Sequence, residues 1–327
     1  SPGKLIVVPV LALLVLWGTY WFNLGRLDDQ SQFTDERAWQ RIPSGVKSAT
    51  IPMPSMVLGN MFLGALSKHG FVAYLNGRVT MGGSWLYFPE AIAIKSPLGF
   101  VAAMVLAPCA FFIGRRRRPW RWRGLVLLLL PSALLLTSIA GKLQIGIRHV
   151  LPVLPFFYLF AVFYLSRGWW LAALLPLIAV AGVETARIHP DYLAFFNASV
   201  GGPEKGHLYL ADSNLDWGQD AARLADYLQN EAAGRRYTIR ISGARVGRLL
   251  DALGLDPASY ERPIDEANPP GGLLAISRDV MLRLHQVSKD ENENLVLGPD
   301  YTWVRKYPLV KRIGHSIEVY DLDQPPR

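Results

Sequence analysis

The stretch Arg115–Arg123, RRRRPWRWR, sets six arginines, a proline and two tryptophans between two apolar runs, Pro97–Ile113 and Leu125–Ala140. Each run is close to the ~17–25 residues a helix needs to cross a bilayer. A short loop this basic between two spans stays on the cytoplasmic side, because Lys/Arg bias sets orientation. Trp120 and Trp122 suit the headgroup level, where an indole keeps its ring apolar and its N–H wet. The apolar flanks count against a nuclear-localisation or nucleic-acid patch. With this loop inside, every other segment is assigned a side.

Charge divides the chain in two. Residues 1–187 carry 18 Lys/Arg against 6 Asp/Glu, whereas residues 188–327 carry 16 against 20. The expected organisation is a transmembrane domain over 1–187, with an outer loop at 24–92, and a soluble extracytoplasmic domain over 188–327. The pI near 9.6 then reports loop bias and an anionic ligand rather than nucleic acid. The single Cys109 lies inside an apolar run, which leaves no disulfide framework and no CxxC metal pattern and suggests a packing residue.

Hydropathy predicts five spans. The first covers residues 5–22, with an aromatic belt of Trp17, Tyr20, Trp21 and Phe22 at its outer end. The chain opens SPGKLIVVPV without an initiator Met, so a piece of a longer protein is expected; the long apolar stretch lacks a small-x-small cleavage site, against a signal peptide. Met53–Leu66 is too short to span and reads as an interfacial helix. Gly82–Glu90 is aromatic and turn-rich. The other spans are Pro97–Ile113, Leu125–Ala140, Val150–Leu165 and Trp169–Val183, with Glu184 and Arg187 pairing at the outer end of the last.

Two inward-running helices begin at the outer face beside a base. Ser96 is an N-cap candidate, Pro97 suits the first helical position, and Lys95 precedes them. Arg148 and His149 stand before Val150, with Pro152 in the first turn. Free N–H groups and the positive dipole end make such a start favourable for phosphate. The planar fork of Arg148 makes it the stronger candidate. Lys95 is equally readable as a snorkelling interface lysine, and His149 as an interface residue. Lys95, Arg148 and His149 are the candidate lipid-phosphate ligands.

The C-terminal part alternates strands and helices. HLYLAD, YTIRISG and GGLLAIS read as strands. The helices expected are the second half of SNLDWGQDAARLADYLQNE, ARVGRLLDALGL and the end of GGLLAISRDVML, where the strand enters a helix. Gly314–Leu322 alternates like an outer strand. This pattern predicts an α/β domain with a mostly parallel sheet. Asn197-Ala-Ser199 matches a glycosylation acceptor, a weak pattern.

The densest polar cluster is DSNLDWGQD, Asp212–Asp220. Its expected place after a strand and before a helix is where open α/β sheets bind ligands. Asp212, Asn214, Asp216, Trp217 and Gln219, with Ser213, make a sugar- or acceptor-binding set: carboxylates and amides for hydroxyls, an indole for a pyranose face. An N-cap and Asx-turn network that only holds the loop together is the competing account. No calcium-loop spacing, Gly-rich phosphate loop, HExxH or GxSxG is found, so no metal or other cofactor is assigned.

In order along the chain, YFPEAIAIKSPLG, IGIRHVLPVLPF, YLAFFNASVGGPEKG, DSNLDWGQD and IGHSIEVYDL resemble the membrane glycosyltransferases of the protein-mannosyltransferase-like group in the GT-C superfamily. The resemblance covers most of the chain from about Gly82. It implies a polyprenyl-phosphate-linked sugar as donor substrate and a protein, lipid or glycan as acceptor at the outer face. It also implies a membrane-lipid environment and a further N-terminal half of the same enzyme as partner. Members of that group carry more spans and a catalytic acid in their first outer loop. Asp28, Asp29, Asp35 and Glu36 do not sit in matching surroundings, so no catalytic residue is carried over. A non-catalytic, membrane-anchored glycan- or partner-binding module is the alternative. A transporter is disfavoured by spans almost free of charge.

Overall fold

A computed structural model describes residues 2–29, 39–40, 42–69, 71–113, 121–242, 246–261, 264–284, 287–290 and 295–326. The chain divides into two compact units, 1–71 and 72–327. The first contains helix α1 (Pro2–Thr19), a short antiparallel pair of β1 (Leu24–Arg26) and β2 (Thr50–Pro52), and helix α2 (Pro54–His69). Asp35 and Glu36 lie outside the described residues.

The second unit opens with the hairpin β3 (Ala73–Leu75) and β4 (Arg78–Thr80), then α3 (Tyr87–Lys95) and α4 (Leu98–Ile113). After α5 (Arg121–Ala140), a 3-10 segment, Ile147–Val153, runs into α6 (Leu154–Leu165), and α7 (Trp170–Arg187) follows. Arg115–Trp120, the greater part of the basic stretch, lies outside the described residues. Ala103, Ala107 and Ala110 form one stripe of α4 that packs on Phe160, Tyr164 and Leu165 of α6 and Leu174 of α7. Gly99 lets the backbones of α4 and α7 close: a Cβ there would stand 1.9 Å from the Leu177 carbonyl oxygen.

The expectation of about five spans is not met. Among the described residues two helices, Ile147–Leu165 and Trp170–Arg187, are long and apolar enough to cross a membrane. A third arises only if α3 and α4 count as one span, yet they are bent by 119°. Pro97 is the cause: the residue before a proline avoids the helical region, and Ser96 is extended at φ −105°, ψ 147°. Alone, α4 has 16 residues, about 24 Å at ~1.5 Å each, short of a ~30 Å hydrocarbon core. The described apolar parts of α1 and α5, Val10–Thr19 and Leu128–Ala140, are also short.

The C-terminal sheet corrects a second expectation. Its strand order is β5 (Tyr237–Arg240), β6 (Leu273–Ser277), β8 (Ile317–Asp321), β7 (Leu309–Ile313). Only β5 and β6 are parallel; β8 is antiparallel to both neighbours, so the sheet is mixed. The reason is local. Gly314, at φ +53°, turns β7 straight back into β8, and a tight hairpin produces antiparallel strands, whereas a parallel pair needs a crossover. That crossover, from β5 to β6, carries α9 (Val246–Ala252).

Far from being an outer strand, β8 is interior, with all five residues buried. Both faces are covered: Val319, Leu273 and Ala275 pack with Leu224 and Leu228, which belong to α8 (Ala221–Asp226) and its continuation, and with Leu250 of α9. Leu274, Ile276 and Tyr320 pack with Trp303 and Val304. Nor is HLYLAD a strand. Its Leu210 is fully buried in a third core with Tyr87, Phe88, Val150, Phe196 and Leu215, and Gly206, just before the segment, sits directly on the Phe196 ring. This third core joins the ends of the apolar helices to the loops of residues 191–217, so the composition boundary near residue 187 is crossed by continuous packing.

Candidate functional site

The α3–α4 elbow is held by loop residues that follow α7. Asn197 is buried and donates its side-chain amide to the Ala93 and Ser96 carbonyls at 2.7 and 2.8 Å, while its N–H donates to Ile94. In the folded chain this amide is committed to the elbow rather than open to a glycan. Ser96 does not cap α4: its hydroxyl is buried without a partner among the described residues. Glu184 Oε2 takes that place, accepting from the Leu98 N–H at 2.6 Å, and its other oxygen accepts from Ala198. The free N–H groups and positive end of α4 thus draw the chain's own carboxylate. Glu184 is thereby diverted from Arg187, and no ion pair joins the two.

Lys95 lies at the elbow, partly buried, with its ammonium donating to the carbonyls of Leu193 and Asn214 at 2.7 Å each and resting 4.3 Å over the Phe196 ring. Asn214 is fully buried and links three elements. Its Oδ1 accepts from the Ile147 N–H at 2.9 Å, its amide donates to the Tyr87 hydroxyl at 3.0 Å, and its carbonyl receives Lys95. Ser213 donates to the Ile145 carbonyl, and Gly146 is required beside it because a Cβ would meet Ser213 Oγ at 2.3 Å. The turn that carries Arg148 is therefore locked to the DSN segment.

On the open side, the Arg148 guanidinium stacks 4.5 Å from the centre of the Trp217 ring, a cation–π arrangement. Trp217 is still 61% exposed. Asp212 is exposed beside them, in the left-handed region at φ 56°, uncommon outside glycine. Burial of its surroundings pushes its carboxyl up to about 6, against the opposing pull of Arg148. His149, on the same turn, has a buried Nε2 without a hydrogen-bond partner among the described residues. The structure thus brings Lys95 to Asn214, and Arg148 to Trp217 and Asp212.

The remaining polar residues of the loop are engaged within it. Asp216 is buried, which pushes its carboxyl up to about 6, while the Gly218 N–H, donating at 2.7 Å, pulls it down. Gln219 accepts from the Trp217 N–H and donates to the Leu215 carbonyl. Asp220 accepts from both the N–H and hydroxyl of Ser316, at the β7–β8 turn.

Sequence reasoning missed Asp279. It lies in the short helical turn α10 (Arg278–Met281) that follows β6, and its Oδ1 accepts from the Asp212 N–H at 3.0 Å. Complete burial drives its carboxyl well above the ordinary range, and the nearby charges of Asp216 and Asp212 push the same way. Ser242, just past β5, donates its hydroxyl to Asp279 Oδ2 at 3.5 Å and its N–H to the Ser277 hydroxyl oxygen at 3.2 Å. Asp279, Ser242 and Ser277 follow or end the two parallel strands, the edge where α/β sheets present ligand-binding groups. The segment ISRD, a strand end followed by an N-capping serine, was the available signal. Tyr87 was hidden in an aromatic run.

Among the described residues no group of three or more His, Cys, Asp or Glu has the arrangement to hold a metal ion. The chain matches no family model, no curated protein and no solved structure.

Proposed function

We propose that this chain forms part of an integral-membrane glycosyltransferase that moves a sugar from a polyprenyl-phosphate carrier to a protein, lipid or glycan acceptor at the extracytoplasmic face. The observation that carries this reading is the Arg148–Trp217 stack beside Asp212. A guanidinium held on an indole is partly stripped of water and oriented, which favours paired bonds to phosphate oxygens. The exposed indole surface suits the C–H face of a pyranose, and Asp212 suits its hydroxyls. Lys95 has two of its three protons on carbonyls, so its part is chiefly to fix the Asn214 hub that carries Arg148. The basic stretch at 115–123 favours the cytoplasmic side for the segment that carries it.

The reading is tested by transfer from a radiolabelled polyprenyl-phosphate sugar, using the full-length protein in membranes. Arg148→Ala is expected to lose most transfer with the protein still folded; unchanged transfer and carrier affinity would sink the assignment. A second reading, a non-catalytic binding module, keeps Arg148 and Trp217 as the contact surface and gives Asn214, Asp216, Gln219 and Asp220, all engaged in bonds within the protein, only the task of holding the loop. Glycan binding that survives with no turnover under any donor would favour it.

A further inference from the structure

A second candidate site has walls that include none of Arg148, Asp212 and Trp217. Helices α4, α6 and α7 enclose an apolar groove of about 590 Å³, within the ~300–1,000 Å³ typical of ligand pockets. Its walls are Phe100, Tyr158, Val162, Ile178 and Ala181. Tyr158, Val162 and Ile178 are 40%, 44% and 54% exposed, so the groove opens sideways along helices that read as membrane segments. A lateral opening admits a ligand from the hydrocarbon phase rather than from water.

The lining includes two hydroxyl-bearing residues, Thr185 and Tyr192, on either side of the end of α7. Arg187 and His189 follow at that end, both exposed. His189 Nδ1 is 2.9 Å from the Tyr192 hydroxyl. The carboxylates nearby do not neutralise Arg187: Glu184 is bound to the Leu98 and Ala198 N–H groups, and Asp191 is held by Arg223 at 2.6 Å. An apolar slot with, at its end, a cation that no carboxylate among the described residues pairs is complementary to a chain carrying one anionic head. Lys95, anchored to both Leu193 and Asn214, stands between the loop bearing Tyr192 and the loop bearing the Arg148 partners.

We infer that this groove holds an acyl chain of an anionic glycerophospholipid from the surrounding bilayer, with its phosphate at Arg187 and His189. The inference rests on the membrane reading proposed above but not on the sugar-transfer reaction. It is tested with the full chain in nanodiscs containing phosphatidylglycerol with a photoactivatable group on its acyl chain, reading labelled peptides by mass spectrometry.

Labelling concentrated on α4, α6 and α7 around Phe100, Val162 and Ile178 is expected. Ala181→Trp, which fills the slot, should reduce it several-fold. Because that change also strains helix packing, Arg187→Gln at an exposed position is the second variant. It should reduce labelling by phosphatidylglycerol several-fold and labelling by a phosphatidylcholine probe, whose choline offsets the phosphate charge, by less. Label spread evenly over all apolar helices, or indifferent to both variants, would overturn the site. So would displacement of the label by polyprenyl phosphate at equal concentration, which would give the groove to the carrier. Release of the protein from membranes by alkaline wash would remove the bilayer reading as well, whereas even labelling with full membrane retention removes only this site.

Discussion

The ammonium of Lys95 donates to the backbone carbonyl of Asn214 across 119 residues of sequence, at 2.7 Å. This bond joins the α3–α4 elbow to the loop that carries Trp217. A backbone acceptor cannot be mutated away, so Lys95 is the side whose loss is informative. Lys95→Met leaves the Leu193 and Asn214 carbonyls without a donor. A cost of roughly 1–3 kcal/mol per buried acceptor follows, visible as a lower thermal midpoint in detergent. An unchanged midpoint would mean that water replaces the lysine.

Arg148 and Trp217 should fail together. Trp217→Ala removes the ring under the guanidinium and is expected to weaken carrier binding several-fold, and Arg148→Ala more strongly. In a double-mutant cycle the second substitution should cost less once the first is present, because the pair acts as a unit. Strictly additive losses in a carrier-binding assay would separate the two residues.

Asp216 predicts a pH dependence with a definite sign. Its carboxyl is raised from 3.8 to about 6 by burial. From about pH 4 to 6 the folded chain keeps a proton that the unfolded chain has lost, so stability falls as pH rises through that window. Asp216→Asn retains an acceptor for Gly218 and needs no charge. It should be more stable than the parent at pH 7 and lose part of the slope between pH 4 and 6. A slope unchanged in urea titrations across that range would refute the burial argument.

Asp279 distinguishes charge from hydrogen bonding. Asp279→Asn keeps an oxygen for the Asp212 N–H and should be tolerated near neutral pH. Asp279→Leu strands that donor and should cost about 1–3 kcal/mol, with loss of the left-handed turn at Asp212. Hydrogen exchange of the Asp212 amide reads this directly: faster in the leucine variant, near parental in the asparagine variant.

Glu184 caps α4 from a distance. Glu184→Ala should destabilise by about 1 kcal/mol, the usual size of a lost cap, and Ser96→Ala should be nearly silent, since its hydroxyl bonds nothing among the described residues. The opposite order in thermal melts would restore Ser96 as the cap.

Much of the local structure was legible in the residues. Strands at Tyr237–Arg240 and Leu273–Ser277, the turn to Arg278, and the helix at Ala221–Asp226 follow from period and capping. Proline placement marked the start of α4, although its consequence, a 119° elbow rather than a straight span, was not read. HLYLAD alternates well enough for a strand, yet it is drawn into a core built by Phe88, Val150 and Phe196. Strand β7, LVKRI, was missed because only its last residue is buried, which leaves no clean alternation.

By itself the sequence determined where apolar and polar segments fall, where prolines and glycines force turns, and which residue types gather at Asp212–Asp220. These are properties of single residues and their near neighbours. Tertiary structure alone decided which partner each buried polar group takes: Glu184 rather than Ser96 on α4, carbonyls rather than solvent on Lys95, Asp279 beneath Asp212, and an indole under Arg148. The physical reason is that a desolvated donor or acceptor must be satisfied by whatever the packing brings within ~3 Å, and packing brings together residues that lie scores of positions apart in the chain.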